Sequence, residues 1–387
     1  MIRREHWISR VEKAWTERSV LWLSGVRRVG KTFLCRSLAD TEYLDCELPR
    51  IRHLLEDPEG FLADMRGRRV ILDEIHRLSQ PSELLKIAAD HYPDVRVLAT
   101  GSSTLAASAK FRDTLTDRKL DIRMTPMIEA DMHAFGRTDL RHRFLHGGLV
   151  PFFMAAQLPE HGFQDWLESY WAKDVQQLFR LERRYSFLKF AELLMVQSGG
   201  IFEASSFAAP CEASRTTIAN YLSALEETFV VHVLRPFNSR RATEIIAAPK
   251  VYAFDTGFVC FANGWHTLRN EDLGRLWEHF VLNEIQAHLQ SIPVFYWRDK
   301  RGHEIDFVVA RRGRDPIAIE CTWACDQFDP KNLCTFRRAY PDGENLVAAH
   351  DVDRPHERRF KDLRVRFVNL PALIERVAPA APSPKAP

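Results

Sequence analysis

Short apolar runs alternate with helical patterns in the first third of the chain. The apolar runs predict five strands, at Val20–Ser24, Tyr43–Asp45, Val70–Asp73, Val95–Thr100 and Leu120–Met124. They are short and mainly apolar, which is typical of strands buried on both faces of a parallel sheet. Helical patterns lie between them, at Thr32–Ala39 and Pro81–His91. The alternation predicts an α/β domain with right-handed crossovers, which we assign to residues 1–136.

The middle of the chain has mainly helical periodicity. It predicts helices at Phe163–Leu181, Phe187–Gln197, Ser205–Ala209 and Ser214–Glu227, followed by strands at Val230–Leu234 and Lys250–Phe254. A short helix, a tight turn, a second helix and two strands are typical of a winged helix-turn-helix. We therefore assign residues 137–265 to a helical lid and winged helix-turn-helix domain.

The last part of the chain returns to a mixed pattern. A helix at Leu276–Leu289 precedes strands at Val294–Trp297, Glu304–Ala310, Ile317–Cys321 and Leu346–Ala349. This predicts a second, small α/β domain over residues 266–376. Residues 377–387 are rich in alanine and proline, and we expect this tail to be disordered.

Composition narrows the class of protein. The 387 residues are 45% hydrophobic, which is enough for two or three domains with buried cores. Because 54 basic residues nearly balance 52 acidic ones, the total charge does not indicate a polyanionic partner. The sequence lacks a signal peptide and any apolar run of about 18 residues, so we expect no membrane span. The seven scattered cysteines are typical of reduced thiols, which predicts a cytoplasmic protein.

A phosphate-binding motif follows the first predicted strand. Gly25–Thr32 matches G-x-x-x-x-G-K-[ST] in full and leads into a predicted helix. The glycines let the backbone amides approach phosphate oxygens, Lys31 reaches the β- and γ-phosphates, and the Thr32 hydroxyl is a Mg²⁺ ligand. The motif predicts a site for ATP and Mg²⁺, formed by Gly25, Val26, Arg27, Arg28, Val29, Gly30, Lys31, Thr32 and Phe33.

Polar residues follow the other predicted strands at the same sheet edge. Asp73 is expected to hold Mg²⁺ through water, and Glu74 to orient or polarise the attacking water. Thr100 and Ser102 follow the next strand and are candidates to contact the γ-phosphate or that water. Arg118, before the fifth strand, is a candidate to supply charge to a phosphate of the same or a neighbouring subunit.

Several segments together resemble a known family. Gly25–Thr32, Val70–Glu74 and Ala99–Ser103 are similar to a broad group of prokaryotic AAA-type ATPases whose C-terminal domain of unknown function looks like a restriction-endonuclease fold. Further similarity lies at Gly147–Pro151, Ser214–Glu227, Lys250–Gly257 and Tyr296–Asp306. The resemblance spans about Val11 to Val368. The family usually has Gly-Arg where this chain has Asp117-Arg118.

The resemblance implies a nuclease-like fold near the C-terminus. Endonucleases of the PD-(D/E)XK type bind Mg²⁺ with carboxylates on adjacent strands, and a lysine two residues after the Glu stabilises charge. Here Glu304 and Asp306 lie two apart on one strand and share a face. With Glu320 on the next strand and Glu278 on the preceding helix, they are candidates for a metal site, of which Glu278, Asp306 and Glu320 are the core set.

Thr322 stands at the position of that lysine. A threonine carries no charge, and Arg298 and Lys300 are the neighbouring candidates to replace it. We therefore predict a structural or binding domain rather than an active nuclease.

The sequence leaves the cellular role open. The predicted helix Ser214–Glu227 offers Arg215, Thr217 and Asn220 for a DNA groove, and Arg240 and Arg241 could meet phosphates from a wing. The alternative is a packing helix in a lid domain. The leading hypothesis is an ATP-hydrolysing switch. An ATP-gated endonuclease and an ATP-controlled DNA-binding regulator are alternatives, and a homo-oligomer or protein partner stays open.

Overall fold

The computed structural model describes the greater part of the chain. The described residues are 2–101, 114–176, 183–238 and 248–378. The predicted residues Ser102, Arg240 and Arg241 lie outside this part, as does most of the tail. No helix within the described ranges is both long and apolar enough to cross a membrane.

Contacts divide the chain into two compact units. The first comprises Met1–Lys189 and Ala219–Val230, and the second comprises Phe190–Ile218 and Val231–Pro387. The division into three domains stays a prediction.

The first unit is built on a five-stranded parallel sheet. Its strands are β1 (Val20–Ser24), β2 (Glu42–Asp45), β3 (Arg69–Asp73), β4 (Arg96–Thr100) and β5 (Lys119–Arg123). Their order is β2-β3-β4-β1-β5, and every neighbouring pair is parallel. All five predicted strands are present, within one residue at either end, and the α/β class is confirmed.

Helices surround this sheet. They are α1 (Glu5–Glu17), α2 (Lys31–Ser37), α3 (Pro49–Leu54), α4 (Pro58–Asp64), α5 (Pro81–His91), α6 (Glu129–Ala134), α7 (Leu140–His146), α8 (Val150–Phe153) and α9 (Glu160–Tyr170). Helix α1 was not predicted, although Trp7, Val11 and Trp15 repeat at helical spacing and are all buried. The core of the sheet includes Trp22 and Leu72.

The predicted helix Phe163–Leu181 is not a continuous α-helix in its described part. The α-helix α9 ends at Tyr170, and a π-helical turn follows at Trp171–Val175. Such turns widen the backbone locally and are frequent at functional sites. The turn aims Asp174 inward, as its 7% exposure shows.

Among the described residues, three helices and a small sheet lie in the region of the predicted winged helix-turn-helix. The helices are α10 (Arg184–Val196), α11 (Ala204–Ala208) and α12 (Arg215–Glu227), and the sheet consists of β6 (Gly200–Ile201), β7 (Val231–Leu234) and β8 (Lys250–Ala253). The three strands are antiparallel in the order β6-β8-β7. Ser214 caps α12, since its hydroxyl oxygen accepts from the Thr217 amide at 3.1 Å.

The second unit also contains a six-stranded mixed sheet. After α13 (Thr256–Ala262) and α14 (Asn270–Leu289) come β9 (Val294–Arg298), β10 (Glu304–Val309), β11 (Ile317–Thr322), α15 (Lys331–Ala339), β12 (Asn345–Ala349), β13 (His356–Phe360), β14 (Leu363–Val368) and α16 (Leu370–Val377). The order is β13-β14-β12-β11-β10-β9. The hairpin β13–β14 was not predicted. The core includes Ile305, Phe336 and Phe367.

Candidate functional site

The predicted phosphate loop connects β1 to α2, and its backbone requires glycine. Gly25 has φ 141°, and a Cβ at this position would lie 2.4 Å from the Met124 carbonyl oxygen. Gly30 has φ 105° and immediately precedes α2. Both conformations are in the region that glycine favours, so the loop is held close to the end of β5.

The other loop residues divide into buried and accessible positions. Val26 and Val29 are buried and fix the loop against the core. Arg28 is exposed and has φ 64°. Thr32 is exposed at the start of α2, and Phe33 is half-buried. The Thr32 hydroxyl is therefore in an accessible place for a ligand.

Lys31 folds back over the loop. Its ammonium group donates to the carbonyl oxygens of Gly25, at 2.9 Å, and Val26, at 3.3 Å. Burial lowers the pKa of Lys31, while the negative charges of Glu74 and Asp174 oppose that shift. The loop thus offers a partly desolvated positive charge, which attracts an anion more strongly than a fully hydrated one does.

Asp73 lies at the end of β3 and is only 2% exposed. The Tyr43 hydroxyl donates to its Oδ2 at 2.6 Å, and the Thr100 hydroxyl donates to its Oδ1. Both oxygens are therefore already hydrogen-bonded, which fixes the orientation of the carboxylate. Sequence reasoning did not find the role of Tyr43.

Thr100 ends β4, as predicted, and is fully buried. Its contact with the γ-phosphate or the attacking water stays a prediction. Its hydroxyl lies between Asp73 and the amide of Glu74, which donates to it at 3.1 Å. Because β4 lies next to β3 in the sheet, Thr100 at the end of β4 fixes the positions of Asp73 and Glu74.

Glu74 has an unusual backbone. Its φ of 55° is in the left-handed region, which is sparsely populated by residues other than glycine and concentrates at functional sites. His76 Nδ1 lies 3.1 Å from the Glu74 carboxylate, and this hydrogen bond lowers the pKa of Glu74. The side chain is therefore ionised at neutral pH. Sequence reasoning missed His76, which follows Glu74 by two residues.

A cavity of about 260 Å³ lies between the phosphate loop and Glu74. Its lining is mostly charged and consists of Gly25, Arg27, Lys31, Glu47, Glu74, His76, Arg77, Gly101, Lys173 and Asp174. Because the lining offers little apolar surface, the cavity suits a highly charged ligand better than an apolar one.

Arg4 supports the phosphate loop from the protein interior. It is 1% exposed, and its guanidinium donates to the Val29 carbonyl at 2.8 Å and to the Asp131 carboxylate at 2.5 Å. The amide of Ile128 donates to the same carboxylate at 3.2 Å. Nothing in the motif indicates Arg4, because its effect depends on a partner more than a hundred residues away.

Arg118 lies apart from the cavity within this chain. Its guanidinium donates to both oxygens of Asp90 at 2.8 and 3.1 Å. It precedes β5, so it lies where the parallel strands begin, whereas the phosphate loop lies where they end. The contact of Arg118 with a phosphate, in the same or a neighbouring subunit, stays a prediction. Asp117 has φ 62°, which explains why a glycine can stand at its place.

The carboxylates of the second unit surround a lysine that sequence reasoning missed. Lys250, on β8, donates to Glu278 at 2.9 Å and Glu304 at 2.6 Å, and lies 4.0 Å from Asp306. Burial alone would lower the pKa of Lys250, but the nearby carboxylates outweigh it and raise the pKa. Lys250 thus supplies an ammonium group that Thr322 cannot.

The carboxyl groups of Asp306 and Glu320 are poorly solvated. Burial, together with the charge of Glu278, raises the pKa of Asp306 to about 8. Burial and the charge of Asp306 raise the pKa of Glu320 well above its usual range. Glu320 Oε1 is buried and has no hydrogen bond within the described residues. The cluster therefore holds more carboxyl groups than Lys250 can neutralise.

The predicted second metal site is not present in this arrangement. Among the described residues, no group of three or more His, Cys, Asp or Glu side chains is placed to hold a metal ion. Instead, Glu278 and Glu304 turn their oxygens toward Lys250, and Asp306 accepts from the Cys321 amide at 2.7 Å. Arg298 and Lys300 were the candidates to replace the lysine absent at Thr322. Lys300 is exposed, and the Arg298 guanidinium lies 3.4 Å from the Glu304 carboxylate.

The residues proposed for a DNA groove lie at the start of α12. Arg215 and Asn220 are exposed, and Thr217 is half-buried. The Thr217 hydroxyl lies 2.8 Å from the Ser214 hydroxyl, so it takes part in the helix cap. Arg215 and Asn220 are therefore the accessible members of the set.

Three family models match successive parts of the chain. Residues 17–132 match an AAA domain, residues 137–269 a domain of unknown function (DUF8612), and residues 273–373 a further domain of unknown function (DUF4143). The restriction-endonuclease likeness of the last part stays a prediction.

Similar proteins exist in mycobacteria. An uncharacterized protein of Mycobacterium tuberculosis is 27% identical over 330 residues, which is 83% of this chain and 74% of the relative. An uncharacterized protein of Mycobacterium bovis has the same values. Among solved structures, the Walker-type ATPase PABY2304 of Pyrococcus abyssi has a TM-score of 0.44 and 13% identity, covering 68% of this chain and 96% of that one.

The family match and the local geometry agree on the first part of the chain. The complete phosphate loop lies between a parallel strand and a helix, inside the segment that matches the AAA domain. The first third of the chain is therefore an AAA-type P-loop module of the class that binds nucleotides.

Proposed function

We propose that the chain binds ATP with Mg²⁺, hydrolyses it slowly and acts as a nucleotide-dependent switch. The observation that carries this proposal is that Lys31 of the phosphate loop and Glu74 line one charged cavity, with the buried Asp73 next to Glu74 at the end of β3. The backbone amides of the phosphate loop and the start of α2 add donors for phosphate oxygens at the same edge.

The donor set fits Mg²⁺. The Thr32 hydroxyl is accessible, and the Asp73 carboxylate is fixed by Tyr43 and Thr100. Oxygen donors of this type suit a hard divalent cation, and an Asp73 already bonded at both oxygens would hold the ion through water. Bound Mg²⁺ supplies the charge that neutralises the phosphates during transfer.

Side chains of the protein bind the phosphates and orient the attacking water. Lys31 leaves the carbonyls of Gly25 and Val26 to bind the β- and γ-phosphates. Glu74, kept ionised by His76, accepts a hydrogen bond from the attacking water and orients it. Thr100 positions Asp73 and Glu74.

A phosphate-release assay on Glu74→Gln tests the hydrolytic role. The glutamine keeps the shape but cannot accept a proton, so turnover is expected to fall by about 10²-fold while ATP binding persists. Glu83→Gln, an exposed change on α5, is the matched control and should leave turnover unchanged. Full turnover in Glu74→Gln would remove Glu74 from this role.

We also propose that nucleotide state controls contact with a partner, for which DNA is the candidate at the start of α12. The exposed side chains of Arg215 and Asn220 beside the capped helix end support this proposal. An electrophoretic shift assay with duplex DNA at low and moderate salt, with and without ATP, tests it. Arg215→Ala should weaken the shift, whereas Arg312→Ala, also exposed, should not. No shift at low salt would contradict DNA binding.

For the C-terminal domain we propose a structural or binding role with a restriction-endonuclease-like fold. The uncharged Thr322 does not by itself exclude DNA cleavage, because Lys250 supplies an ammonium group to the carboxylate cluster. That ammonium is bonded to Glu278 and Glu304, however, which supports a structural role. Incubation with plasmid and Mg²⁺ or Mn²⁺ should leave the DNA intact. Cleavage that Asp306→Ala abolishes would overturn this proposal.

A further inference from the structure

A third carboxylate lines the nucleotide cavity from outside the parallel sheet. Asp174 lies on the π-helical turn Trp171–Val175 and lines the same cavity as Lys31 and Glu74. Its residue exposure is 7%, and its Oδ2 is buried with no hydrogen bond to any described residue. The Arg27 guanidinium lies 3.9 Å from that oxygen. Because a buried carboxylate oxygen without a hydrogen bond is costly, this placement requires an explanation.

A hydrogen bond and ring packing connect the helix that precedes this turn to the phosphate loop. On the preceding helix α9, the Trp166 indole donates to the Arg27 carbonyl at 3.0 Å. Trp166 is fully buried and stacks on Tyr170 at 5.3 Å between ring centroids. The Tyr170 hydroxyl bonds to Thr228 at 2.5 Å. The position of Asp174 relative to the loop is therefore set by packed side chains.

The charges that face Asp174 are those that would face a polyphosphate. Burial raises the pKa of Asp174, while the positive charges of Arg27 and Lys31 act in the opposite direction. Glu74 adds a like charge, His76 lies nearby, and Lys173 lines the same cavity. Arg27 and Lys31 both belong to the phosphate loop, so a bound triphosphate and the Asp174 carboxylate need the same two cations.

We propose that Asp174 is a specificity-determining residue that competes with the nucleotide's phosphates for Arg27 and Lys31. The inference rests on the proposed nucleotide binding. A carboxylate at this distance weakens binding by like-charge repulsion and by occupying the loop's cations, and the penalty grows with the negative charge of the ligand. Asp174 therefore reduces affinity for ATP more than for ADP, and for ADP more than for AMP, which favours nucleotide exchange over tight retention.

Asp174→Asn removes the charge and keeps the shape. Isothermal titration of the full chain with Mg-ATP, Mg-ADP and AMP at one salt concentration should show the Kd for ATP falling roughly tenfold, which corresponds to about 1.4 kcal/mol. The gain should be smaller for ADP and absent for AMP. Asp165→Asn makes the same change at an exposed position of α9 and should alter none of the three values. Asp174→Glu retains the charge and should keep the low ATP affinity.

The outcomes separate this inference from the proposed function. If the unmodified chain binds ATP but Asp174→Asn binds it equally or more weakly, the inference is overturned and the nucleotide site stands. An equal gain for all three nucleotides also overturns it, because repulsion must scale with phosphate charge. If the unmodified chain binds none of the three nucleotides, the proposed function fails together with the inference. A misfolded variant would lose affinity, so a gain ordered by phosphate number cannot arise from misfolding.

Discussion

The Arg4 guanidinium donates to the carbonyl oxygen of Val29 at 2.8 Å, so the N-terminal segment supports the phosphate loop directly. The same guanidinium forms a fully buried ion pair with Asp131. Because removal of one partner leaves a buried charge uncompensated, Arg4→Met should lower the free energy of unfolding by about 3–5 kcal/mol. Urea unfolding followed by fluorescence measures this.

The neighbouring Arg3 provides the control for that change. Arg3 pairs with Glu5, and both side chains are more than half exposed. Exposed pairs contribute about 0–1 kcal/mol, so Arg3→Met should leave the unfolding midpoint nearly unchanged. Equal effects of the two substitutions would show that the buried pair has no special role.

Thr100 offers a test of how the acidic pair is positioned. Thr100→Val keeps the volume but removes the donor to Asp73 and the acceptor for the Glu74 amide. We expect a loss of about 1–3 kcal/mol of stability and a fall in ATP turnover of roughly tenfold, with a smaller change in ATP affinity. Phosphate release and titration calorimetry measure the two quantities. Thr16→Val, on the exposed face of α1, should change neither, and unaltered turnover in Thr100→Val would contradict the positioning role.

Lys250 should be essential for the stability of the second unit. Its side chain is 5% exposed and pairs with Glu278 and Glu304, so Lys250→Met removes the ammonium group from two poorly solvated carboxylates. The expected loss is about 3–5 kcal/mol, measured by urea unfolding. Lys300→Met changes an exposed lysine nearby and should have little effect. If Lys250→Met is as stable as the unmodified chain, the carboxylates do not depend on the ammonium.

Asp306 should make the second unit less stable as pH rises. Its folded-state pKa of about 8 lies above the unfolded value of about 4, so the folded state retains a proton that the unfolded state has lost. Stability from this group is therefore complete below about pH 4 and decreases through pH 8. The unfolding midpoint of Asp306→Asn should exceed that of the unmodified chain, and this difference should increase from pH 5 to pH 8. The exposed Asp326→Asn should show no such trend, and parallel curves for Asp306→Asn would contradict the shift.

Local sequence patterns were sufficient for the parallel sheet and the phosphate loop. Apolar strands, the two glycines and Lys31 each follow from short-range rules of backbone geometry and charge. The supports of the site could not be found in the same way. Arg4, Tyr43 and Asp174 act through partners distant in sequence, and their roles depend on which side chains the fold brings together. The π-helical turn also has no local pattern that distinguishes it from a continuous α-helix.

The C-terminal cluster shows the same limitation for a different reason. The carboxylates Glu304 and Asp306 were correctly placed on one strand face because side chains alternate along a strand. The positive charge among them was predicted to come from Arg298 or Lys300, whereas it comes from Lys250 on another sheet. A lysine in a strand gives no indication of its partners until the topology is known.

Equilibrium binding of Mg-ATP to the unmodified chain and to Lys31→Ala tests whether the phosphate loop holds a nucleotide. Lys86→Ala, which changes an exposed lysine on α5, is the matched control. We expect saturable binding by the unmodified chain and by Lys86→Ala, and loss of detectable binding in Lys31→Ala. Absence of binding in the unmodified chain, or equal affinity in Lys31→Ala, would show that this loop is not a nucleotide site.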